Sequence, residues 1–294
     1  MQAIAVVNPI SGRRDVTAAV KAIADELAAA GCQLQVAPTT RPGDAQRTAA
    51  DAPSDTRAIL AVGGDGTVRE VAAGLAGRDI PLAVFPAGTE NIVARHFRMP
   101  TDPAAIANLI LHARPISHDV GVLNGRDFLI VCGVGFDARV VERLAAVRKG
   151  NISYLTYAGP LWRTFWQDEF PSLTIEADGQ LLFEGRGLVL IGIQPRYSLG
   201  LRILARAAHD DGYLDVCVFP CARRTALVGH ALRVSLGRHI ERGGVVYSKC
   251  RAVNISSPDR VPIQCDGDPA GTLPARLEIR PSALRLLAPP FPGA

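Results

Sequence analysis

Between an apolar run at residues 58–62 and a stretch of helical pattern at 68–75, the chain reads Gly63-Gly64-Asp65-Gly66-Thr67. Glycines in such a turn let the backbone come close to an anion, and the N–H groups at the helix start that follows point toward it. Asp65 adds a carboxylate that can bind Mg²⁺ or receive a proton from a substrate hydroxyl. The plainer alternative is a tight strand-to-helix turn with a capping aspartate. Two further turns have the same character. Asn8-Pro9-Ile10-Ser11-Gly12 follows the apolar run 3–7, and Pro86-Ala87-Gly88-Thr89 follows the run 80–85. In an open parallel sheet, ligands sit beyond the carboxyl ends of the strands, so these three turns are expected to gather round one phosphate-bearing ligand. The chain has no GxxxxGK[ST], no lysine in any of the three turns and no protein-kinase motif set, so those two nucleotide-binding designs are excluded.

The elements that must hold these turns alternate. The spacing of Val16, Val20, Ile23 and Leu27 predicts a helix over 16–30 that stops at Gly31. Residues 34–36, 58–62 and 80–85 read as further strands, and 44–50, 68–75 and 103–111 as helices. The pattern is a doubly wound α/β domain with parallel strands buried on both faces. Near Pro115 the character changes to short β-like runs at 128–132, 173–177, 188–193, 214–219, 252–256 and 275–279. Turn signals such as Asn124-Gly125, Asp178-Gly179 and Asp266-Gly267 stand between many of them. Helical stretches at 138–147 and 225–236 interrupt the runs. The expected organisation is an α/β domain at 1–120 and a β-rich substrate domain at 121–294, with a cleft between them and the last residues packing back on the first domain.

Composition bounds the function. Of the 294 residues, 48% are hydrophobic and 20% charged, a globular balance. A formal net charge of +4 is too mild to imply nucleic acid, yet would not repel an anionic substrate or membrane face. The six cysteines form no CxxC pair and no zinc set, which suits reduced thiols in a cytoplasmic protein. The opening MQAIAVVNP lacks the basic flank and apolar stretch of a signal peptide, and no segment approaches the ~20 apolar residues of a membrane span. A lipid substrate would be met from the water side, as a peripheral visitor to the inner membrane face.

Five motifs in order, NPISG (8–12), GGDGT (63–67), PAGTEN with a following AR (86–95), GFDA (135–138) and DDGYLDV (210–216), resemble the diacylglycerol kinase catalytic-domain family. That family includes bacterial lipid kinases and is related to sphingosine and ceramide kinases. GGDG is shared with NAD kinases, but NPxSG and DDGxLD favour the lipid-kinase branch. The likeness runs from the first turn to Asp268, nearly the whole chain.

The resemblance implies that ATP contacts Asn8, Pro9, Ile10, Ser11 and Gly12, then Thr39 in the TxxxGDA stretch (39–45), then Gly63, Gly64, Asp65, Gly66, Thr67, Val68 and Arg69, and finally Thr89. It implies a structural Mg²⁺ on the DDGYLDV segment, with Asp211 giving a carboxylate and Ala208 and Tyr213 giving backbone carbonyls. Relatives carry a glutamate base in a DGE sequence where this chain reads Asp266-Gly267-Asp268, so Asp268 takes that position and is one methylene shorter; the role falls to Asp268 or to Asp65. The related GTxND pattern is also altered. Ile92 follows Asn91, and Glu90 either supplies the carboxylate or caps a helix, while Asp119 is a further member of an acidic network. Trp162, Arg163 and Trp166, with Arg223, Arg224, Arg233, Arg238 and Arg242, read either as a transient membrane-surface contact or as core tryptophans beside a solvated helix. The expected partners are ATP, Mg²⁺ and a lipid hydroxyl, diacylglycerol first, and the reading is compatible with a homodimer. The alternatives are a kinase of a soluble substrate and a non-catalytic nucleotide- or lipid-binding protein.

Overall fold

The computed structural model describes residues 1–11, 16–147, 154–242 and 244–290. They fall into two compact units, Met1–His118 with Ser282–Ala294, and Asp119–Pro281. Gly12 lies outside the described residues.

The first unit alternates strand and helix: β1 (Gln2–Val7), α1 (Val16–Ala29), β2 (Gln33–Pro38), α2 (Asp44–Ala50), β3 (Ile59–Gly63), α3 (Asp65–Leu75) and β4 (Leu82–Pro86), then α4 (Ile92–His96) and α5 (Pro103–His112). The strands are parallel in the order β2-β1-β3-β4. Every residue of β3 and β4 is buried, as parallel strands covered on both faces require. Helix α1 buries Val16, Val20, Ile23 and Leu27 and packs on α5, while α2 packs on α3. Asp102 caps α5 by accepting from the Ala105 N–H at 3.0 Å, with Pro103 at the first helical position. From β1 the chain steps one way to β2, and from β3 the other way to β4. The carboxyl ends of β1 and β3 therefore flank the point where strand order reverses, the usual ligand position in such sheets.

The second unit takes up the chain within β5 (Ile116–Leu123). It continues through β6 (Arg126–Phe128), β7 (Val131–Val134), α6 (Phe136–Val147), α7 (Tyr154–Gln167), β8 (Ser172–Ala177), β9 (Gln180–Gly192), β10 (Leu214–Pro220), α8 (Arg224–Ser235), α9 (His239–Arg242), β11 (Val246–Cys250), β12 (Ala252–Ser256), β13 (Pro262–Cys265), β14 (Asp268–Thr272) and β15 (Ala275–Leu286). Strands β6 to β14 pair antiparallel with their neighbours. The first half of β9 runs beside β8 and its second half lies between β7 and β10, with Gly185 at φ 150° where the strand changes partners. Phe128, Ile175, Val189, Ile191, Val216 and Leu277 belong to its buried core. The six cysteines are buried and free, and the Cys132 and Cys265 sulfurs stand 3.0 Å apart on paired strands.

The apolar run 128–132, expected as one strand, is split between β6 and β7. Asp266 takes the N–H groups of Leu129, Ile130 and Val131 at 2.9, 3.0 and 3.0 Å, which draws that backbone out of a ladder. The tail of β15 belongs to the first unit. There Leu286 pairs with Leu82, the Leu287 N–H donates to the Leu82 carbonyl at 2.8 Å, and Leu284, Leu286 and Leu287 are buried.

Candidate functional site

The three glycine-bearing turns of the first unit meet. A Cβ built on Gly88 would stand 2.5 Å from the Gly64 Cα, so the second and third turns touch backbone to backbone. The Ala87 N–H donates to the Gly63 carbonyl at 2.9 Å and reinforces that approach. The first turn joins them through Asn8, whose Nδ2 donates to Thr67 Oγ1 at 3.3 Å and whose N–H donates to the Val62 carbonyl at 3.0 Å. Asn8 also shapes its own turn, since its Oδ1 accepts from the Ile10 N–H at 3.2 Å. Thr67 is buried over Gly63, where a side chain would come within 2.4 Å of its hydroxyl. Its role is thus to support the turn, with Val68 buried behind it and Gly66 exposed beside it.

Asp65 opens α3 half-buried, and its Oδ1 accepts from the Val93 N–H at 3.2 Å, at the start of α4. The carboxylate thereby links the second turn to the segment after the third. Asn91, in the left-handed region at φ 47°, closes that third turn: its Oδ1 accepts from the Gly88 N–H at 2.9 Å and its Nδ2 donates to the Gly88 carbonyl at 2.8 Å. Thr89 is exposed at the tip, Pro9 and Ile10 are exposed, and Ser11, Thr39 and Arg69 are half-buried. Thr39 follows β2, and its N–H donates to the Val7 carbonyl at 2.8 Å, which brings the fourth predicted contact to the end of β1. The loop after it is tied to Asp44. Asp44 accepts from the Thr40 N–H and hydroxyl at 2.9 and 2.8 Å and from the Arg41 N–H at 3.0 Å, and those bonds hold its carboxyl far below the usual range. Glu90 faces Arg95 at 3.9 Å.

In the second unit, Asp268 begins β14, half-exposed, with Arg126 Nη2 3.7 Å from its Oδ2. The turn before it is fixed by neighbours that sequence reasoning did not single out as functional. Asp266 and Gly267 have φ of 50° and 83°, the geometry of a tight hairpin, and Asp266 anchors the turn through its three backbone bonds. Gln264, fully buried, accepts from the Gly267 N–H at 2.9 Å and donates to Asp137 Oδ2 at 2.8 Å. Burial pushes the Asp137 carboxyl up to about 6 against the pull of its Gln264 and Tyr197 hydrogen bonds. Asp-Gly in the sequence signals a hairpin; partners more than a hundred residues away leave no local signal.

The Asp211 turn has a different character. Asp211 Oδ1 accepts from the Tyr213 N–H at 3.1 Å, and Oδ2 is bonded to the Lys249 ammonium. Asp119, fully buried, accepts from the Gly212 N–H at 2.7 Å, and Asp215, also fully buried, from the Tyr247 hydroxyl at 2.7 Å. Burial pushes the Asp215 carboxyl up, opposed by Tyr247 and Lys249. Partial burial opposes the charge on Lys249, but Asp211 and Asp215 more than offset it and hold its pKa above the ordinary value. Among the described residues no group of three or more His, Cys, Asp or Glu is arranged to hold a metal. With the Lys249 ammonium on Asp211, these residues do not fit a further divalent cation.

Helices α7 and α8 expose apolar side chains. Trp162 is 66% and Trp166 53% exposed, their rings 5.6 Å apart, and Val228, Leu232 and Leu236 recur at fourfold spacing, each more than half exposed. The tryptophans are therefore not core residues. Arg224 ties the two helices by donating to the Phe165 and Trp166 carbonyls at 2.6 and 2.8 Å. Among the described residues no helix is long and apolar enough to cross a membrane.

Two family models match the chain. The diacylglycerol kinase catalytic domain matches residues 2–123, and the YegS C-terminal NAD kinase beta sandwich-like domain matches residues 130–288. A diacylglycerol kinase of Mycobacterium tuberculosis (strain ATCC 25618 / H37Rv) is 32% identical over 242 residues, 80% of this chain and 77% of its own length. One from Staphylococcus carnosus (strain TM300) is 29% identical over 91% of this chain and 89% of its own. A crystal structure from Bacillus anthracis str. Sterne superposes with a TM-score of 0.81 at 26% identity, covering 98% of this chain and 95% of that one. With a matched catalytic domain, a matched C-terminal domain and relatives alike over most of their length, the chain belongs to the diacylglycerol kinase family, a family of lipid kinases.

Proposed function

We propose that the chain transfers the γ-phosphoryl group of ATP to the hydroxyl of a diacylglycerol. The observation that carries this reading is the backbone contact between Gly64 and Gly88, with Asn8 bound to Thr67, which gathers three turns at a switch point. ATP, arriving as its magnesium complex, lies against the turns at residues 8–11, 63–69 and Thr89, with Thr39 at the edge. Phosphoryl transfer asks mainly for positioning and charge stabilisation, and backbone N–H groups at a helix start supply both. A carboxylate, Asp268 or Asp65, takes the proton of the lipid hydroxyl. The freed oxygen forms its bond to the γ-phosphorus as the bond to the β-phosphate oxygen breaks, and ADP leaves. Asp268 is favoured as the base because its turn is held by Asp266 and Gln264 while its own carboxylate stays half-exposed. Asp65 is bound to the Val93 N–H and is favoured as a positioning group.

The lipid half of the reading is supported by the family and by the exposed apolar face of α7 and α8. Arg163, Arg223, Arg233 and Arg238 stand on or beside those helices with no acidic residue on either, a composition suited to an anionic membrane surface. The resemblance of residues 130–288 to an NAD-kinase-like domain keeps a soluble acceptor as the second reading. Labelled ATP offered with diacylglycerol-containing vesicles and, separately, with soluble hydroxyl acceptors distinguishes them. Label in the vesicle lipid is expected, and Asp268→Asn should lower its rate by roughly 10²–10⁴-fold, as loss of a general base does. Label only in a soluble acceptor would replace the lipid reading, and ATP binding without any labelled product would make the protein a non-catalytic binder.

A further inference from the structure

The resemblance leads one to expect a divalent ion at the Asp211 turn, and the residues there have arranged something else. Strands β10 and β11 pair antiparallel with Asp215 directly opposite Lys249. Directly opposed side chains of opposite charge are natural partners across a sheet. From that position Lys249 reaches forward to Asp211 Oδ2 and stands 3.8 Å from Asp215 Oδ2, an oxygen that is buried and makes no other hydrogen bond among the described residues. Neutral donors reach three further oxygens: the Tyr213 N–H on Asp211 Oδ1, the Tyr247 hydroxyl on Asp215 Oδ1 and the Gly212 N–H on Asp119 Oδ2. Arg251 adds a second positive group, 5.4 Å above the Tyr213 ring.

We infer that the Lys249 ammonium is the resident cation of this turn and takes the place of a structural divalent ion, so that the segment 208–216 keeps its conformation without bound metal. An ammonium suits the position because three rotatable donors can serve two carboxylates at once. A divalent ion placed on Asp211 would have to displace it or face its charge at close range. The inference does not depend on the substrate, and it stands or falls separately from the kinase reading.

Thermal unfolding of the full chain without nucleotide tests it, with MgCl₂ titrated against EDTA at constant ionic strength. The wild-type midpoint should stay within about 1 °C across the titration, because an ion that binds only the folded state would raise it progressively. Lys249→Met keeps the aliphatic stem and leaves Asp215 buried without its cation, so its midpoint should fall by several degrees. Lys249→Arg should recover most of that loss, and Asp215→Asn added to Lys249→Met should recover part. A wild-type midpoint that climbs saturably with Mg²⁺, or a Lys249→Met protein that melts with the wild type, overturns the inference. If Lys249→Met does not fold, the wild-type titration and the arginine variant still decide it.

Discussion

The second and third turns touch because neither Gly64 nor Gly88 carries a methyl group. A Cβ on Gly88 would stand 2.5 Å from backbone, not from a side chain that can swing aside. Gly88→Ala should therefore lower stability by about 1–3 kcal/mol, the usual cost of overpacking, and weaken binding of a non-hydrolysable ATP analogue at least tenfold. Gly66→Ala is the stability control, since nothing lies within 4 Å of its added methyl. Equal melting of the two variants would mean that the turns do not meet as described. Asp137 makes a pH-dependent prediction. Its folded pKa is raised to about 6 from 3.8, so the folded chain holds this proton more firmly than the unfolded one. The stability it contributes is complete below about pH 4 and is lost as pH rises through about 6, on the order of 2–3 kcal/mol. Urea melts from pH 4 to 7 should show Asp137→Asn losing less stability than the wild type over that interval. At this scale the sequence revealed the turns because glycine, asparagine and hydroxyl residues announce themselves locally. Gln264, Asp266 and Lys249 were not legible, because each acts on a partner that only strand register brings near.

At the scale of elements, periodicity carried most of the first unit. The helix expected over 16–30 is α1, ending one residue earlier, and the run 58–62 is β3 shifted by one residue. Uniformly apolar parallel strands and helices punctuated by glycine leave little ambiguity. The second unit was less legible. Residues 188–192 fall in the buried half of a strand that starts at Gln180, and Glu184, Gly185 and Arg186 interrupt its apolar pattern between the two halves. Helix α7 was missed because Pro160 and Gly159 within it read as breakers, while its tryptophans drew attention as a surface mixture. That helix carries the next prediction. Exposed tryptophans beside α8 should insert at a bilayer interface, and the arginines should favour anionic headgroups. Trp162→Ala with Trp166→Ala should reduce cosedimentation with phosphatidylglycerol vesicles at least fivefold, leave the melting midpoint nearly unchanged, and spare activity on a short-chain diacylglycerol below its aggregation threshold. Unaltered vesicle binding would remove α7 from the membrane face.

For the molecule as a whole, the chain order of the units has a consequence for folding. The first unit is discontinuous: 118 residues from one end and a short strand from the other. That strand covers the open side of β4. It supplies the Leu287 and Ala283 backbone bonds to Leu82 and Gly77, the Arg285 bridge to Asp79 at 2.6 Å, and three buried leucines. Burying a leucine stabilises by about 1.5–3 kcal/mol, so removing Leu284, Leu286 and Leu287 withdraws roughly 5–9 kcal/mol. Domains have about 5–15 kcal/mol in total. Without the strand, β4 would also present an unpaired apolar edge, which invites association. Residues 1–118 alone should then be poorly soluble and melt without a cooperative transition. Joining residues 282–290 after His118 through a flexible Gly/Ser linker should restore a cooperative melt and a monodisperse monomer, measured by calorimetry and light scattering. Should the short fragment melt as sharply and at the same temperature as the linked one, the returning strand is a passenger on a unit that the first 118 residues complete by themselves.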